Sequence, residues 1–294
     1  MLPPALSVER PGTLREALQC LAEAAPCPKV LAGGTDLLVK IRNGLDPGGM
    51  LLDISSLNHD LNYIDWDGSV LRIGALTTHD EISRSEPVRR QVPVLAQSCR
   101  MVGSPQIRNR GTLAGNIVNA SPAGDSLPAL LAVDAAVKLS KKGASREIKL
   151  IDFLVGPGRT LLAGDELLTE IIIPAGPGVS RGVYHKMGSR NALTIAVASV
   201  AVVTGVSGDV HIAYGALASK AIRALALEQA IKEKGLSDWN RLSNIIRSTV
   251  QPISDQRASA GYRREMAVNL TYMALAALQS YLPVPGPATG AGKG

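Results

Sequence analysis

The spacing of apolar residues near the N terminus predicts a compact unit of short strands and helices. Residues 13–25 carry leucine and alanine at helical intervals, and Thr13 with Glu16 matches a capping box. Residues 29–34 predict a short strand that runs into a glycine turn, and residues 50–55 predict a second strand. Because a short helical segment lies between these strands, we predict a βαβ-like unit of about 55 residues.

The pattern changes to alternation further along the chain. Residues 69–76 alternate between apolar and polar side chains as a strand does, and two helical segments follow them. Residues 104–125 show little periodicity and are rich in Gly, Asn, Ser and Pro, and such a stretch inside a compact domain is usually functional. Residues 126–140 predict a helix and then a strand, and residues 166–174 predict a strand that ends at a proline.

A segment rich in glycine and proline, residues 175–182, predicts a domain boundary. Beyond it, three strand-like runs precede three helical segments, which predicts a small antiparallel sheet covered by helices. The fold class is therefore predicted to be α+β. The predicted parts are a two-part N-terminal α/β domain over residues 1–175 with subdomains of about 1–57 and 58–175, a C-terminal α+β domain over 179–283, and a disordered tail over 284–294.

Composition narrows the class of protein. Of the 294 residues, 46% are apolar and 19% are charged, which is ordinary for a soluble globular chain. No apolar run reaches the roughly 18 residues of a membrane span, and the N terminus lacks a signal-peptide pattern, so we expect a cytoplasmic protein. The net charge of +6 is not concentrated in basic blocks, which gives little support to nucleic-acid binding and suits an anionic ligand or an acidic partner surface.

Cysteine and histidine are too scattered to predict a metal centre on this chain. The three cysteines form no CxxC pair and the four histidines form no HxxxH pair, so neither a zinc site nor an iron–sulfur site is expected. No nucleophile–base–orienter set is visible either, and we predict no catalytic side chain. This combination fits a protein whose reactive group is a bound cofactor.

Two glycine-rich turns are the candidate ligand sites. The first, residues 31–36, follows a predicted strand, and its glycines would let backbone N–H groups approach anionic oxygens. The second, residues 111–116, combines small residues with hydroxyl and amide side chains. The Asp125 carboxylate is a natural acceptor for ribose hydroxyls; alternatively, Asp125 caps the helix that follows it. Arg108 and Arg110 flank this loop, where their charges would neutralise a pyrophosphate; the alternative is that both are solvated surface residues. The first turn matches neither a dinucleotide-binding nor a P-loop fingerprint.

Five collinear strings carry a resemblance: KVLAGGTDLLVKIRNG, RIGALTTHDEI, GSPQIRNRGTLAGNIVNASPAGDSLPALLAVDA, GDELLTEIIIP and YHKMGSRNALTIAVAS. Together they resemble the FAD-binding medium subunit of the molybdenum hydroxylases, the family of bacterial xanthine dehydrogenases and aerobic carbon monoxide dehydrogenases. The resemblance runs from about residue 5 to about residue 282 and implies an FAD-binding domain of the vanillyl-alcohol-oxidase or PCMH type. It also implies FAD on this chain, with a molybdenum cofactor on a large partner subunit and [2Fe–2S] clusters on a small one.

The resemblance further implies a role in electron transfer. Electrons from the [2Fe–2S] centres would reach FAD and pass to NAD+, oxygen or a quinone-like acceptor, and the substrate would never touch this polypeptide. A purine such as xanthine is the first expectation for the substrate, and a dimer of heterotrimers is the expected assembly. The hydroxybenzoyl-CoA reductase branch is disfavoured because this chain lacks that branch's cysteine-containing insertion.

The family's cofactor-binding positions correspond to six groups of residues in this sequence. The first flavin loop corresponds to Lys29, Val30, Leu31, Ala32, Gly33, Gly34, Thr35, Asp36 and Leu37. The chain passes the isoalloxazine ring at Val102 and Gly103, and the second phosphate loop corresponds to Ile107, Thr112, Leu113, Ala114, Gly115 and Asn116. Asp125 is implied for a ribose or adenine-side hydroxyl, Leu167 and Leu168 for the adenine, and Lys186 for the pyrophosphate or the ring edge.

One departure from the family pattern concerns the second loop. The family usually has Gly-Gly-Asn there, and Ala114 replaces the first of these glycines. If that position required a positive φ, alanine would cost about 1 kcal/mol. Backbone contact with phosphate at Ala114 is therefore less secure than at the neighbouring residues.

Two alternative functions remain open at the level of the sequence. An autonomous FAD-dependent oxidase of the same fold group would need a substrate pocket in the second domain and would reduce its flavin with substrate on its own. A scaffold module that kept the fold and lost FAD would be colourless. Fold alone does not choose between these and an electron-transfer subunit.

Overall fold

The computed structural model describes residues 6–174, 181–188, 194–205 and 208–278. Residues 175–180 of the predicted domain boundary at 175–182 lie outside these ranges, as does the predicted tail at 284–294. None of the helices in the described ranges is long and apolar enough to cross a membrane.

The first subdomain is a small parallel sheet with helices, as predicted. Its elements are β1 (Ser7–Glu9), α1 (Leu14–Glu23), β2 (Lys29–Leu31), α2 (Leu37–Arg42), β3 (Met50–Asp53) and α3 (Asn58–Leu61), with a 3₁₀ turn at Ile54–Leu57. The strands lie in the order β1-β3-β2, and β1 was not predicted from the sequence. The Thr13 hydroxyl accepts a hydrogen bond from the Glu16 N–H and begins α1, while Gly44, at φ +100°, follows the end of α2.

The second subdomain is built on an antiparallel sheet. Its elements are β4 (Ile64–Trp66), β5 (Val70–Gly74), α4 (His79–Arg84), α5 (Glu86–Gln91), α6 (Pro93–Arg100), α7 (Pro105–Arg108), α8 (Leu113–Asn119), α9 (Ser126–Ala132), β6 (Ala136–Lys141), β7 (Ala144–Lys149), α10 (Leu150–Phe153), β8 (Leu154–Gly156), β9 (Arg159–Thr160) and β10 (Leu167–Pro174). In the described residues, the main sheet has the order β4-β5-β10-β6-β7. The central strand β10 is buried from Leu167 to Ile173. Its two polar residues are buried with hydrogen-bond partners: the Thr169 hydroxyl pairs with Ser140, and the Glu170 carboxylate accepts from Tyr63.

Residues 104–125, which show little periodicity in the sequence, contain two short helices. Ser104 caps α7, whose first residue is a proline, and Thr112 caps α8. Since α7 has four residues and α8 has seven, neither is long enough to show a complete apolar stripe in the sequence.

The second domain contains an antiparallel sheet followed by helices, as predicted. Its described elements are β11 (Arg181–Met187), β12 (Ala198–Thr204), β13 (Val210–Gly215), β14 (Ile222–Arg223), α11 (Leu225–Lys234), α12 (Trp239–Thr249) and α13 (Ala260–Leu278). The strands are ordered β11-β12-β13-β14. The two-residue strand β14 was not predicted, because so short a run carries no periodicity. The α+β fold class is confirmed.

Helices cover both faces of the second-domain sheet, and one of those faces belongs to the interface between domains. Helices α6 and α9 of the first domain pack on one face, and α11 and α13 pack on the other. Along β12, Ala201 and Val203 join the first-domain core, while Val200 and Val202 join the core of the second domain. Alternate residues of β12 therefore belong to the cores of different domains. On β11, Tyr184 likewise joins the first-domain core, while Val183 and Met187 pack against the core of the second domain.

Candidate functional site

The two glycine-rich turns touch each other in the structure. A Cβ atom added at Gly33 would lie 1.8 Å from the carbonyl oxygen of Arg110 and 3.2 Å from the Cα atom of Gly111. A Cβ atom added at Gly111 would lie 3.4 Å from the hydroxyl oxygen of Thr35. Only a residue without a side chain permits this approach at Gly33. The structure thus joins two candidate loops that are distant in the sequence.

The first loop presents free backbone donors. Within the described residues, the N–H groups of Gly33, Gly34, Thr35 and Asp36 donate to no protein acceptor. Gly34 has φ +76°, and the Leu38 N–H donates to the Gly34 carbonyl as α2 begins. Successive unpaired N–H groups around a left-handed residue form the kind of concave donor site that binds anions. Lys29 and Val30 lie just before it on β2, and Leu37 begins α2.

The second loop is the capped start of α8. The Thr112 hydroxyl accepts from the Gly115 N–H at 3.1 Å, and the Leu113 N–H donates to the Thr77 carbonyl at 3.1 Å. In this described stretch the N–H groups of Thr112 and Ala114 have no acceptor. Ala114 is helical, so the sequence-based concern about a positive φ at this position does not apply. Its methyl group is buried in the core.

Asn116 and Asp125 are held together near the second loop. The Ser126 hydroxyl donates to the Asn116 side-chain oxygen at 2.7 Å. Asp125 does not cap α9 through its side chain, so the helix-cap alternative is wrong. Instead, its carboxylate accepts from the Tyr184 hydroxyl at 2.9 Å and from the Lys186 ammonium at 2.6 Å. Both partners lie on β11 of the second domain.

Burial dominates the electrostatics of this cluster. It raises the pKa of Asp125, although the Lys186 ammonium and the Tyr184 hydroxyl act in the opposite direction. Burial, together with the nearby Asp125 charge, raises the pKa of Tyr184 well above its usual value. The phenol is therefore a neutral donor, and the Asp125–Lys186 pair is buried, with side chains 8% and 3% exposed.

The predicted ring-side segment lies beside Lys186. The Lys186 ammonium also donates to the Met101 carbonyl at 3.0 Å. The Arg108 guanidinium donates to the carbonyls of Val102 and Gly103, both at 3.1 Å. Arg108 thus holds the turn that carries the predicted ring contacts, and is neither simply solvated nor paired with a carboxylate in the described structure. Asp125, Lys186 and residues 101–103 form one cluster.

The remaining predicted residues have different surroundings. Leu167 and Leu168 point into the core, so any contact with an adenine there would have to use the backbone of β10. Ile107, on α7, is partly exposed, and its carbonyl accepts from the Gly111 N–H at 2.6 Å. Arg110 is exposed and takes part in the site through its carbonyl against Gly33.

Two residues that the sequence analysis did not single out belong to the site's framework. Tyr184 is one, and its position two residues before Lys186 on the same strand face is the signal that was available. His79 is the other. Its backbone N–H donates to the Gly111 carbonyl at 3.0 Å, and its ring lies 3.5 Å from the Cys99 sulfur. Burial, aided by Arg108, lowers the pKa of His79 to about 4, so the ring is neutral at pH 7.

Comparison with known proteins identifies the family. The protein-family model described as the FAD binding domain in molybdopterin dehydrogenase matches residues 4–176, and the model described as the CO dehydrogenase flavoprotein C-terminal domain matches residues 183–278. The glyceraldehyde dehydrogenase medium chain of Sulfolobus acidocaldarius is 36% identical over 280 residues, which is 93% of this chain and 98% of that protein. A putative xanthine dehydrogenase FAD-binding subunit of Escherichia coli is 29% identical over 90% of this chain and 93% of its own length.

Solved structures agree with these matches. A chain of the carbon monoxide dehydrogenase from Hydrogenophaga pseudoflava superposes with a TM-score of 0.89 at 29% identity, covering 96% of this chain and all of that one. The model for the FAD-binding domain alone matches more than half of the sequence, and the second model matches most of the remainder. The chain belongs to the FAD-binding flavoprotein family of the molybdopterin dehydrogenases, as an oxidoreductase subunit whose cofactor is FAD.

Proposed function

We propose that this chain holds FAD between its two glycine loops and the Asp125–Lys186 cluster, and that this FAD links [2Fe–2S] centres of a small partner subunit to NAD+ or another electron acceptor. The observation that carries the proposal is the contact of the two loops at Gly33, which leaves a row of unpaired N–H groups beside the second loop. The more general assignment, which the family matches support, is the FAD subunit of a molybdenum hydroxylase-type dehydrogenase complex.

The residues present fit a dinucleotide with a charged pyrophosphate. The N–H groups of Gly33 to Asp36 and of Ala114 would donate to phosphate oxygens. The Asp125 carboxylate uses one acceptor position on each oxygen, so further lone pairs remain for ribose hydroxyls. The Lys186 ammonium supplies positive charge beside residues 101–103, where the ring is expected. Bound FAD would supply reversible one- and two-electron chemistry, and the protein supplies position and charge.

The named relatives act on different substrates. They include dehydrogenase subunits named for glyceraldehyde, xanthine, carbon monoxide and nicotinate. This spread supports the proposal that a large molybdenum-cofactor subunit selects the substrate. Xanthine stays a prediction from the sequence, as do NAD+ as acceptor and the heterotrimeric assembly in the cytoplasm.

The test is the flavin content of the purified full-length chain. Visible absorbance and chromatography of the heat-released cofactor should give FAD near equal molar ratio. Gly34→Val places a branched side chain in the loop at φ +76°, and should yield colourless protein. Gly44→Val is the matched control, because Gly44 also has a positive φ and an added Cβ would meet nothing within 4 Å. A colourless wild-type chain that takes up no added FAD would contradict the proposal.

The electron path needs a second experiment with the partner subunits. Substrate should bleach the flavin bands only when the large and small subunits are present, and NAD+ should restore them. Bleaching of the isolated chain by substrate would instead support the autonomous oxidase.

A further inference from the structure

The neighbouring domain fixes the Asp125 carboxylate by two hydrogen bonds. The side-chain oxygen of Gln97, on α6, accepts a hydrogen bond from the Tyr184 N–H at 2.9 Å. The side-chain nitrogen of Gln97 donates to the Gly182 carbonyl at 3.0 Å. This pair of bonds sets the position of β11 along α6. As a result, Tyr184 and Lys186 come to lie above the start of α9, where Asp125 is.

The alternation of β11 directs these side chains to the first domain. Gly182, Tyr184 and Lys186 are two residues apart and share one face of the strand. A Cβ atom added at Gly182 would lie 2.8 Å from Val94 of α6, so this face is in close contact with the first domain. Tyr184 is 4% exposed and belongs to the first-domain core, although it comes from the second domain.

Each oxygen of Asp125 receives one of the two donors. The Tyr184 hydroxyl donates to Oδ1 and the Lys186 ammonium donates to Oδ2. With both bonds in place, the carboxylate has one orientation. Without the hydroxyl, Oδ1 loses its protein donor, and the carboxylate is free to turn about its terminal bond towards the ammonium.

We propose that Tyr184 is a positioning residue for the cofactor: its hydroxyl holds the Asp125 carboxylate so that the unused lone pairs face the hydroxyl groups of FAD. This inference rests on the proposed function and adds to it a residue that touches no cofactor atom. Through Tyr184, the second domain orients the Asp125 carboxylate, which belongs to the first domain. A purely structural tyrosine would support the packing of the domains and leave Asp125 unaffected.

A double-mutant cycle on the full-length chain tests this role. FAD is stripped from wild type, Tyr184→Phe, Asp125→Asn and the double variant, and the Kd for added FAD is measured by fluorescence quenching. Tyr184→Phe should weaken FAD binding by about tenfold, the effect of one hydrogen bond to a charged group. In the Asp125→Asn background the same change should have little further effect, because Tyr184 acts only through that carboxylate.

Tyr214→Phe is the matched control. Tyr214 is also fully buried in the second domain, and its hydroxyl hydrogen-bonds Thr271 at 2.8 Å, away from Asp125. It should lower the melting temperature of the apoprotein and leave the Kd for FAD unchanged.

Three results would overturn the inference: an unchanged Kd in Tyr184→Phe, a full tenfold effect that persists in Asp125→Asn, or loss of folding in Tyr184→Phe alone. A wild-type chain that binds no FAD would be a different failure, since it refutes the proposed function itself.

Discussion

Adding one methyl group at Gly33 should separate the two glycine loops. The new Cβ atom would lie 1.8 Å from the Arg110 carbonyl oxygen and 2.7 Å from its carbon, both of which are backbone atoms that cannot rotate away. To restore an ordinary carbon–oxygen contact of about 3.3 Å, the second loop must retreat by roughly 1.5 Å. Overpacking of this kind typically costs about 1–3 kcal/mol of folding free energy.

The larger effect of Gly33→Ala should appear in FAD affinity. A displacement of that size would break hydrogen bonds from at least two loop N–H groups to phosphate, each contributing about 1.5–3 kcal/mol. We therefore expect the Kd for FAD to rise by about a hundredfold or more. Chemical denaturation of the apoprotein measures the first cost, and titration of the apoprotein with FAD measures the second.

Gly156→Ala is the control for Gly33→Ala. The nearest atoms to a Cβ added at Gly156 belong to the Arg159 side chain, 3.8 Å away, and its φ is not positive. This variant should keep both stability and FAD affinity. If Gly33→Ala also retained wild-type FAD affinity, the contact between the loops would have no part in binding, and the reasoning would be wrong.

Three further variants test other parts of the site. Asp125→Ala should destabilise the apoprotein by about 3–5 kcal/mol in urea, because it leaves the Lys186 ammonium buried without its partner. The wild-type His79, with its pKa lowered to about 4, contributes fully to the free energy of unfolding above pH 6.5. Between pH 7 and pH 5 the unfolded chain takes up the proton, and the free energy of unfolding falls by about 2 kcal/mol. His79→Gln should therefore make stability depend less on pH in this range. Ala114→Gly should lower stability by about 0.5–1 kcal/mol without tightening FAD binding, since the position is helical.

Local signals in the sequence predicted the parts of the fold that depend on local interactions. The Thr13 cap and the strand that ends at Pro174 each depend on a few neighbouring residues, and the structure has them where they were expected. The βαβ-like start and the antiparallel second domain followed from the same kind of pattern. Short elements such as β1, β14 and α7 were missed because they contain too few residues to show a period.

The site itself depends on contacts that no local pattern encodes. The closeness of Gly33 to Arg110 follows from how two subdomains pack, and glycine is common in turns that bind no ligand. The cap interpretation of Asp125 was locally reasonable, since aspartate before a helix is a common cap. It failed because donors from β11, which no sequence rule links to residue 125, bind the carboxylate instead.

The arrangement of β11 brings side chains of the second domain to the proposed FAD site in the first domain. Its face towards the first domain carries Tyr184 and Lys186, and its backbone is bound to Gln97 at two points. The same side chains bury the domain interface and fix the acid that is expected to receive FAD hydroxyls. A rotation of the second domain on the first would therefore carry both donors away from Asp125, and would also move the ammonium away from the Met101 carbonyl. Under the proposed function, the second domain of this chain is therefore part of the flavin site, although both glycine loops lie in the first.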